Sequence, residues 1–195
     1  MIKFIISIGT VLSIILVYAN SKSLSDSLNS ANDSTKANIS AASKMTFNFN
    51  SQLKWKEELS EFSSKNSLHY LLMDDDSIGI DVEFIENKEL FVQLLKKEDS
   101  EIIEELIEGK NSVNLFVNYK KVILKRSKIV RDLDRIEVFL EGHYSAMQKT
   151  KYFYEKYFVF SNGILMISLD WNLKSKKNLI EIAKKDFTQI EVNIE

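Results

Sequence analysis

Between residues 78 and 85 the chain alternates, with Ile78, Ile80, Val82 and Phe84 set against Gly79, Asp81, Glu83 and Ile85. A period of two sends successive side chains to opposite faces and predicts a half-buried strand. Asp74-Asp75-Asp76-Ser77 ahead of it reads as a turn, so a hairpin is expected from Leu68–Met73 to Ile78–Glu86. The period then lengthens. Leu90, Phe91, Leu94 and Leu95 fall on one helical face, and a second helix carries Ile102, Ile103, Leu106 and Ile107. Ser100 is placed to cap that second helix, Glu101 complements its positive end, and Gly109 is placed to stop it.

Alternation returns in the second half. Residues 121–130, KVILKRSKIV, predict a long basic strand at or near a sheet edge. Ile136, Val138 and Leu140 alternate with Arg135, Glu137 and Glu141. Residues 151–171, KYFYEKYFVFSNGILMISLDW, crowd aromatics around Asn162-Gly163, the pair best suited to a two-residue type I′ hairpin turn. That turn would set Phe160 opposite Leu165, Phe158 opposite Ile167 and Tyr154 opposite Trp171. One face then holds Tyr154, Phe158, Phe160, Leu165, Ile167, Leu169 and Trp171 as core. The other holds Phe153, Glu155, Tyr157, Val159, Met166, Ser168 and Asp170, a mixed set that suits a partly solvated face. Leu173, Ile180 and Phe187, with Leu179 and Ala183 beside them, form the stripe of a last helix that covers the apolar face. Residues 188–194, TQIEVNI, alternate again as a closing strand.

Strands and helices in separate runs give an α+β fold, a single domain over residues 49–195 built on an antiparallel β-sheet flanked by helices. A chain of 195 residues, 45% hydrophobic and 28% charged, suits this. At that size folding buries roughly 70% of the surface of the unfolded chain without a staple. The net charge of −2, with both signs interspersed, gives no footprint for nucleic acid. The absence of cysteine excludes disulfides, thiolate catalysis, sulfur-rich metal sites and an acylated cysteine anchor.

The N-terminus has a separate logic. Lys3 precedes an uncharged, mostly apolar run from Phe4 to Tyr18, and Val17-Tyr18-Ala19 matches a cleavage site. Residues 1–19 read as a signal peptide cut between Ala19 and Asn20. An uncleaved signal-anchor is the alternative. Residues 20–48 read as a flexible polar leader, or as a weak helix that orders on a partner, since Ser, Asn, Ala and Asp bury little apolar surface. The expected destination is the periplasm or the extracellular space.

Candidate chemistry is sparse. His69 and His143, the two histidines, lie on or beside strands without a second ligand at helical or turn spacing, so neither a metal nor a general-base role is expected. Asp74, Asp75, Asp76 and Asp81 lack the order of a calcium loop and read as a solvated turn. Glu101, Glu104, Glu105 and Glu108 read as a solvated helix flank. Lys120, Lys121, Lys125, Arg126 and Lys128 make the basic strand. Such charges deter edge pairing, and Lys121, Lys125, Arg126 and Lys128 are also candidates to bind an anionic partner, a membrane headgroup included. No nucleophile elbow, zinc-helix motif or phosphate-cradling loop is present. No catalytic residue, metal or cofactor is expected. Tyr154 and Trp171, at the end of the hairpin away from its turn, are the candidates for a small-molecule groove.

The succession of RDLDRIEVFLEGHY, then KTKYFYEKYFVFSNGILMISLDW, then an amphipathic helix leading to DFTQIEV resembles the C-terminal half of PsbP-like domains. The likeness spans roughly residues 52–192, with its pattern concentrated in 130–192. The proline- and glycine-bearing opening of that family is missing. The resemblance implies an α/β/α sandwich and an accessory or binding role outside the cytoplasm, and it transfers no functional residue. The expectation is an exported, non-enzymatic accessory domain acting through a protein partner at the bacterial cell envelope. The alternative is a periplasmic module that binds a small ligand or lipid in a groove near Tyr154 and Trp171. A secreted enzyme of unfamiliar type is the third class.

Overall fold

The computed structural model describes residues 35–39, 45–49, 51–58, 67–114, 119–146 and 150–194. The expectations for residues 1–19, with the Ala19–Asn20 cleavage, lie outside the described residues. Seven strands form one antiparallel sheet in the order β3 (Trp55–Glu57), β4 (Ser67–Leu72), β5 (Asp75–Glu86), β9 (Gly163–Asn172), β8 (Thr150–Phe160), β7 (Arg135–Ala146), β6 (Tyr119–Arg131). The basic strand β6 is thus an edge. A second, three-stranded sheet pairs β2 (Met45–Phe49) with β1 (Thr35–Ile39) on one side and β10 (Glu191–Ile194) on the other. The helices are α1 (Leu90–Leu95), α2 (Asp99–Asn114) and α3 (Lys177–Thr188).

Both faces of the large sheet are buried, which completes the sandwich. On one face Ile180, Ala183 and Phe187 of α3 pack on Ile80, Val82, Tyr154, Phe158, Leu165, Ile167, Leu169 and Trp171. On the other, Leu90, Phe91 and Leu94 of α1 and Ile102 and Leu106 of α2 pack on Ile136, Val138, Leu140, Phe153, Tyr157, Val159 and Ile164. This second face was expected to be partly solvated. Instead Phe153 and Tyr157 are almost wholly buried. The reason lies in α1 and α2, whose apolar stripes also need a sheet to cover.

The hairpin register differs from expectation by two residues. Phe160 pairs with Gly163, Phe158 with Leu165, Tyr154 with Leu169 and Tyr152 with Trp171. The two-residue turn is therefore Ser161-Asn162. A shift of two keeps every side chain on its expected face, so the division of the core survives the error. Gly163 does not adopt positive φ. A Cβ there would lie 2.4 Å from the Ile85 carbonyl oxygen and 2.7 Å from the Phe84 ring. Space beside β5, not turn geometry, requires the glycine.

Several boundaries move for identifiable reasons. The β4–β5 turn is Met73-Asp74, and Asp75 to Ser77 extend β5 after a register shift at Leu71/Leu72. Asp75 accepts the Ser77 hydroxyl and the Lys176 N–H at 2.6 Å, which ties the hairpin to the start of α3. Ser100 lies inside α2, and the Glu98 N–H is instead capped by Glu101 Oε2 at 2.8 Å. Helix α2 continues past Gly109 because its last turns are held to the sheet through Lys110 and Asn111. Leu173 precedes α3 and is exposed. The closing strand joins the small sheet rather than the large one. Residues 35–39 and 45–49, within the stretch read as a leader, form β1 and β2, and the boundary drawn at 48/49 falls inside β2. Met45, Phe47 and Phe49 alternate with Thr46 and Asn48, a strand period set in Ser- and Asn-rich surroundings.

Candidate functional site

A β-bulge organises the basic strand. In the β6–β7 ladder Lys121 pairs with Ser145, Ile123 with His143, Arg126 with Glu141 and Lys128 with Phe139, and the register shifts between Leu124 and Arg126. Lys125 is the extra residue. In a regular strand Lys121 and Arg126, five apart, would point to opposite faces. The inserted residue puts Lys121, Ile123, Arg126 and Lys128 on the same face, the one that α3 covers further along the sheet. Lys125 Nζ and Arg126 Nη2 both reach the buried Glu141 carboxylate, at 2.8 and 3.1 Å, and the Arg126 guanidinium lies 5.2 Å from the Phe139 ring centroid. The Glu141 hydrogen bond holds the Lys125 ammonium above its ordinary pKa. Among the described residues Lys121 and Lys128 make no ion pair.

The same face carries an aromatic row. Ile123, His143, Tyr152 and Trp171 stand in register across β6, β7, β8 and β9. Tyr152 stacks on Trp171 with centroids 5.8 Å apart, and His143 lies 5.6 Å from Tyr152. The structure brings the predicted pair Tyr154 and Trp171 together, edge to face at 5.3 Å, although Trp171 faces Tyr152 across the strands. Both are buried, at 8% exposure each. Lys184 of α3 sits over both rings, 5.3 Å from Tyr154 and 4.9 Å from Trp171. The half-buried Tyr152 and the exposed Ile123 carry this row to the surface. Lys156, on the same face, donates to the Thr188 carbonyl at 3.0 Å, and burial lowers its pKa.

The opposite face holds buried charge that sequence reading did not single out. Lys110 of α2 pairs with Glu155 of β8, and Tyr157 donates to Glu155 Oε2 at 2.7 Å. Burial alone would push Lys110 down, but the Glu155 carboxylate overrides it and holds the ammonium above the ordinary lysine range. Burial, reinforced by Glu155, raises the Tyr157 hydroxyl well above its usual value. Lys151 pairs with Asp170 at 2.8 Å, and burial nonetheless pushes the Asp170 carboxyl up. These pairs fasten α2 and the strand ends. The sequence signal was Glu155 itself, a charge at a position whose parity matches Phe153 and Tyr157. Lys184 gave no such signal, since it lies beside the stripe of α3 where solvated lysines are ordinary.

The remaining candidates separate. His69 Nδ1 meets Asp81, and its Nε2 lies 3.8 Å from Glu58, so it joins β4 to its neighbours. His143 belongs to the aromatic row. Asp75 is held below the ordinary carboxylate range, since hydrogen bonds from Ser77 and Lys176 outweigh the upward push of burial. Among the described residues no group of three or more His, Cys, Asp or Glu side chains is placed to hold a metal ion. No helix among them is long and apolar enough to cross a membrane.

No family model matches the chain, and no curated protein matches its sequence. Solved structures do resemble it. The solution structure of cyanobacterial PsbP (CyanoP) from Synechocystis sp. PCC 6803 superposes with a TM-score of 0.62 at 8% identity, covering 87% of this chain and 99% of that one. LpqN, described as involved in cell envelope biogenesis of Mycobacterium tuberculosis, gives 0.46 at 13% identity over 82% of this chain and 90% of its own. The Saccharomyces cerevisiae Ran-binding protein Mog1p gives 0.48 at 10% identity over 80% and 85%. The likeness to CyanoP shows the fold, a PsbP-like single domain with helices on an antiparallel sheet. At such identity it carries no function across.

Proposed function

We propose that this chain is a non-catalytic binding domain of the bacterial cell envelope that docks an acidic protein partner on the face of β6, β7 and β8. One observation carries the reading. The bulge at Lys125 gathers Lys121, Arg126 and Lys128 on a single face, continuous with Ile123, His143 and Tyr152. Glu141 pairs with Lys125 and Arg126, and Glu137 of the same face pairs with Arg135, so Lys121 and Lys128 leave that face basic, and an exposed aliphatic and a half-buried aromatic stand beside them. An aromatic and aliphatic centre with an arginine beside it suits a protein interface, and basic charge selects an acidic one. The envelope location rests on the reading of residues 1–19 as a signal peptide. Tyr154 and Trp171 lie on the same face, buried where α3 covers it.

The test is site-specific photo-cross-linking in native envelope extract. A photoreactive aromatic at Tyr152 is expected to yield one dominant adduct, while the same group at the exposed Val92 of α1 yields none. Equal adducts from both positions, or none from either, would contradict the reading.

A further inference from the structure

Strand β6 ends the large sheet, and no strand among the described residues pairs with its outer edge. The fold caps this edge where β6 begins, with the Val122 N–H donating to Asn111 Oδ1 of α2 at 2.8 Å. From Ile123 to Arg131 the edge continues with neither a strand nor a side-chain cap on its backbone among the described residues. An open run of backbone donors and acceptors is a template for another strand.

We infer that this edge accepts an extended acidic segment of the partner protein as an eighth strand. The inference rests on the docking reading above and adds its mode. Pairing with a second copy of β6 is opposed, because it sets Lys121, Arg126 and Lys128 against like charges. An acidic strand meets the opposite sign at the same positions. Charges and bulges on an edge strand are themselves devices that deter edge-to-edge aggregation. Here the bulge has a further effect, which is to align the cations on one face at strand spacing. Arg126 and Lys128 are two residues apart, so alternate carboxylates of an added strand lie beside both. Ile123, 46% exposed, stands between Lys121 and that pair. The segment that fits therefore reads, on one face, acidic, apolar, acidic, acidic at every second residue. Backbone pairing supplies the affinity and these side chains the selectivity.

The experiment uses the full chain and synthetic peptides of about ten residues, a usual strand length. One peptide alternates Glu and Thr with Val at the position facing Ile123. The second replaces Glu with Lys. The third keeps Glu but carries N-methyl groups on alternate residues, which removes the amide donors of one peptide edge. The Glu peptide is expected to bind and to slow amide hydrogen exchange between Ile123 and Arg131, while the Lys and N-methylated peptides lose binding at least tenfold. If the N-methylated peptide binds as well as its parent, edge pairing is overturned and a partner seated on the face is retained. If the Glu peptide fails to bind at low salt, the inference also falls, and the Tyr152 cross-link decides the docking reading separately. Preference for vesicles of phosphatidylglycerol over the Glu peptide would assign the edge to lipid and overturn it.

Discussion

Arg126 and Glu141 face each other across β6 and β7, and the carboxylate that takes the Arg126 guanidinium at 3.1 Å takes Lys125 at 2.8 Å on its other oxygen. Glu141 is buried while both cations are exposed. The carboxylate thus serves as a fixed counter-charge for two exposed side chains, one of which, Arg126, lies over Phe139. Glu141→Gln keeps the volume and an acceptor but removes the charge. We expect a stability loss of about 1 kcal/mol, typical of a hydrogen bond weakened rather than deleted. We also expect tighter binding of an acidic peptide, because the face gains net positive charge. Urea denaturation and a peptide titration of the same variant check both.

The glycine after the hairpin turn answers to crowding. Gly163→Ala brings a Cβ to 2.4 Å from the Ile85 carbonyl, and backbone cannot swing aside as a side chain can. Overpacking of this kind costs about 1–3 kcal/mol or somewhat more. At Gly79 the nearest atom to an added Cβ is the Leu71 side chain at 3.3 Å, so Gly79→Ala should change stability by less than about 1 kcal/mol. Equal losses in the two variants would show that the register at Gly163 is set by something other than this contact.

Trp171 is part of the packed core of the domain. Its ring is buried between Tyr152, Tyr154 and Lys184. Trp171→Ala is expected to cost about 3–5 kcal/mol, as aromatic deletions in cores do. Lys184→Met keeps the stem over the rings and loses a cation–π contact, for a cost of about 1 kcal/mol or less. Thermal unfolding of both variants measures the gap. If Trp171→Ala retained wild-type stability, the ring would be free to serve a groove.

The buried pair of Lys110 and Glu155 makes a sharper prediction. Lys110→Met alone leaves a buried carboxylate uncompensated and should cost about 3–5 kcal/mol. Adding Glu155→Leu should recover part of that loss, the remainder being the buried Tyr157 hydroxyl left without its acceptor. Lys110 and Tyr157 both hold their protons more tightly in the folded chain than an ordinary lysine or tyrosine. Their stabilisation is therefore complete below the unfolded values near pH 10. It is lost as the pH rises above them, where the unfolded chain releases protons that the folded chain keeps. Denaturant midpoints followed from pH 8 to pH 11 should fall for the wild type, and fall less steeply for the double variant.

Periodicity sufficed for most of the core. Ile78, Ile80, Val82 and Phe84 proclaim their strand, and parity alone divides residues 153–171 correctly between two faces. Parity is insensitive to a register error of two, so the misplaced turn at Asn162-Gly163 left the face assignment intact. Local pattern gives no access to what lies opposite. Nothing in Phe153, Tyr157 and Val159 says that α1 and α2 will cover them. Nothing in Gly163 itself reveals the approach of Ile85. The alignment of Lys121 with Arg126 and Lys128 depends on one inserted residue, which is a property of the β6–β7 ladder and not of β6 alone. The basic character of the strand was legible in the sequence, and its gathering on one face was not.

The measurement that bears most directly on the central claim compares capture from native envelope extract by the wild-type chain and by Lys121→Glu/Lys128→Glu. Both positions are exposed and without an ion pair among the described residues, so the variant should melt with the wild type. The account predicts a protein retained by the wild type at low salt, released as salt rises, and absent from the charge-reversed variant. A protein retained equally by both chains, at matched stability, would contradict it.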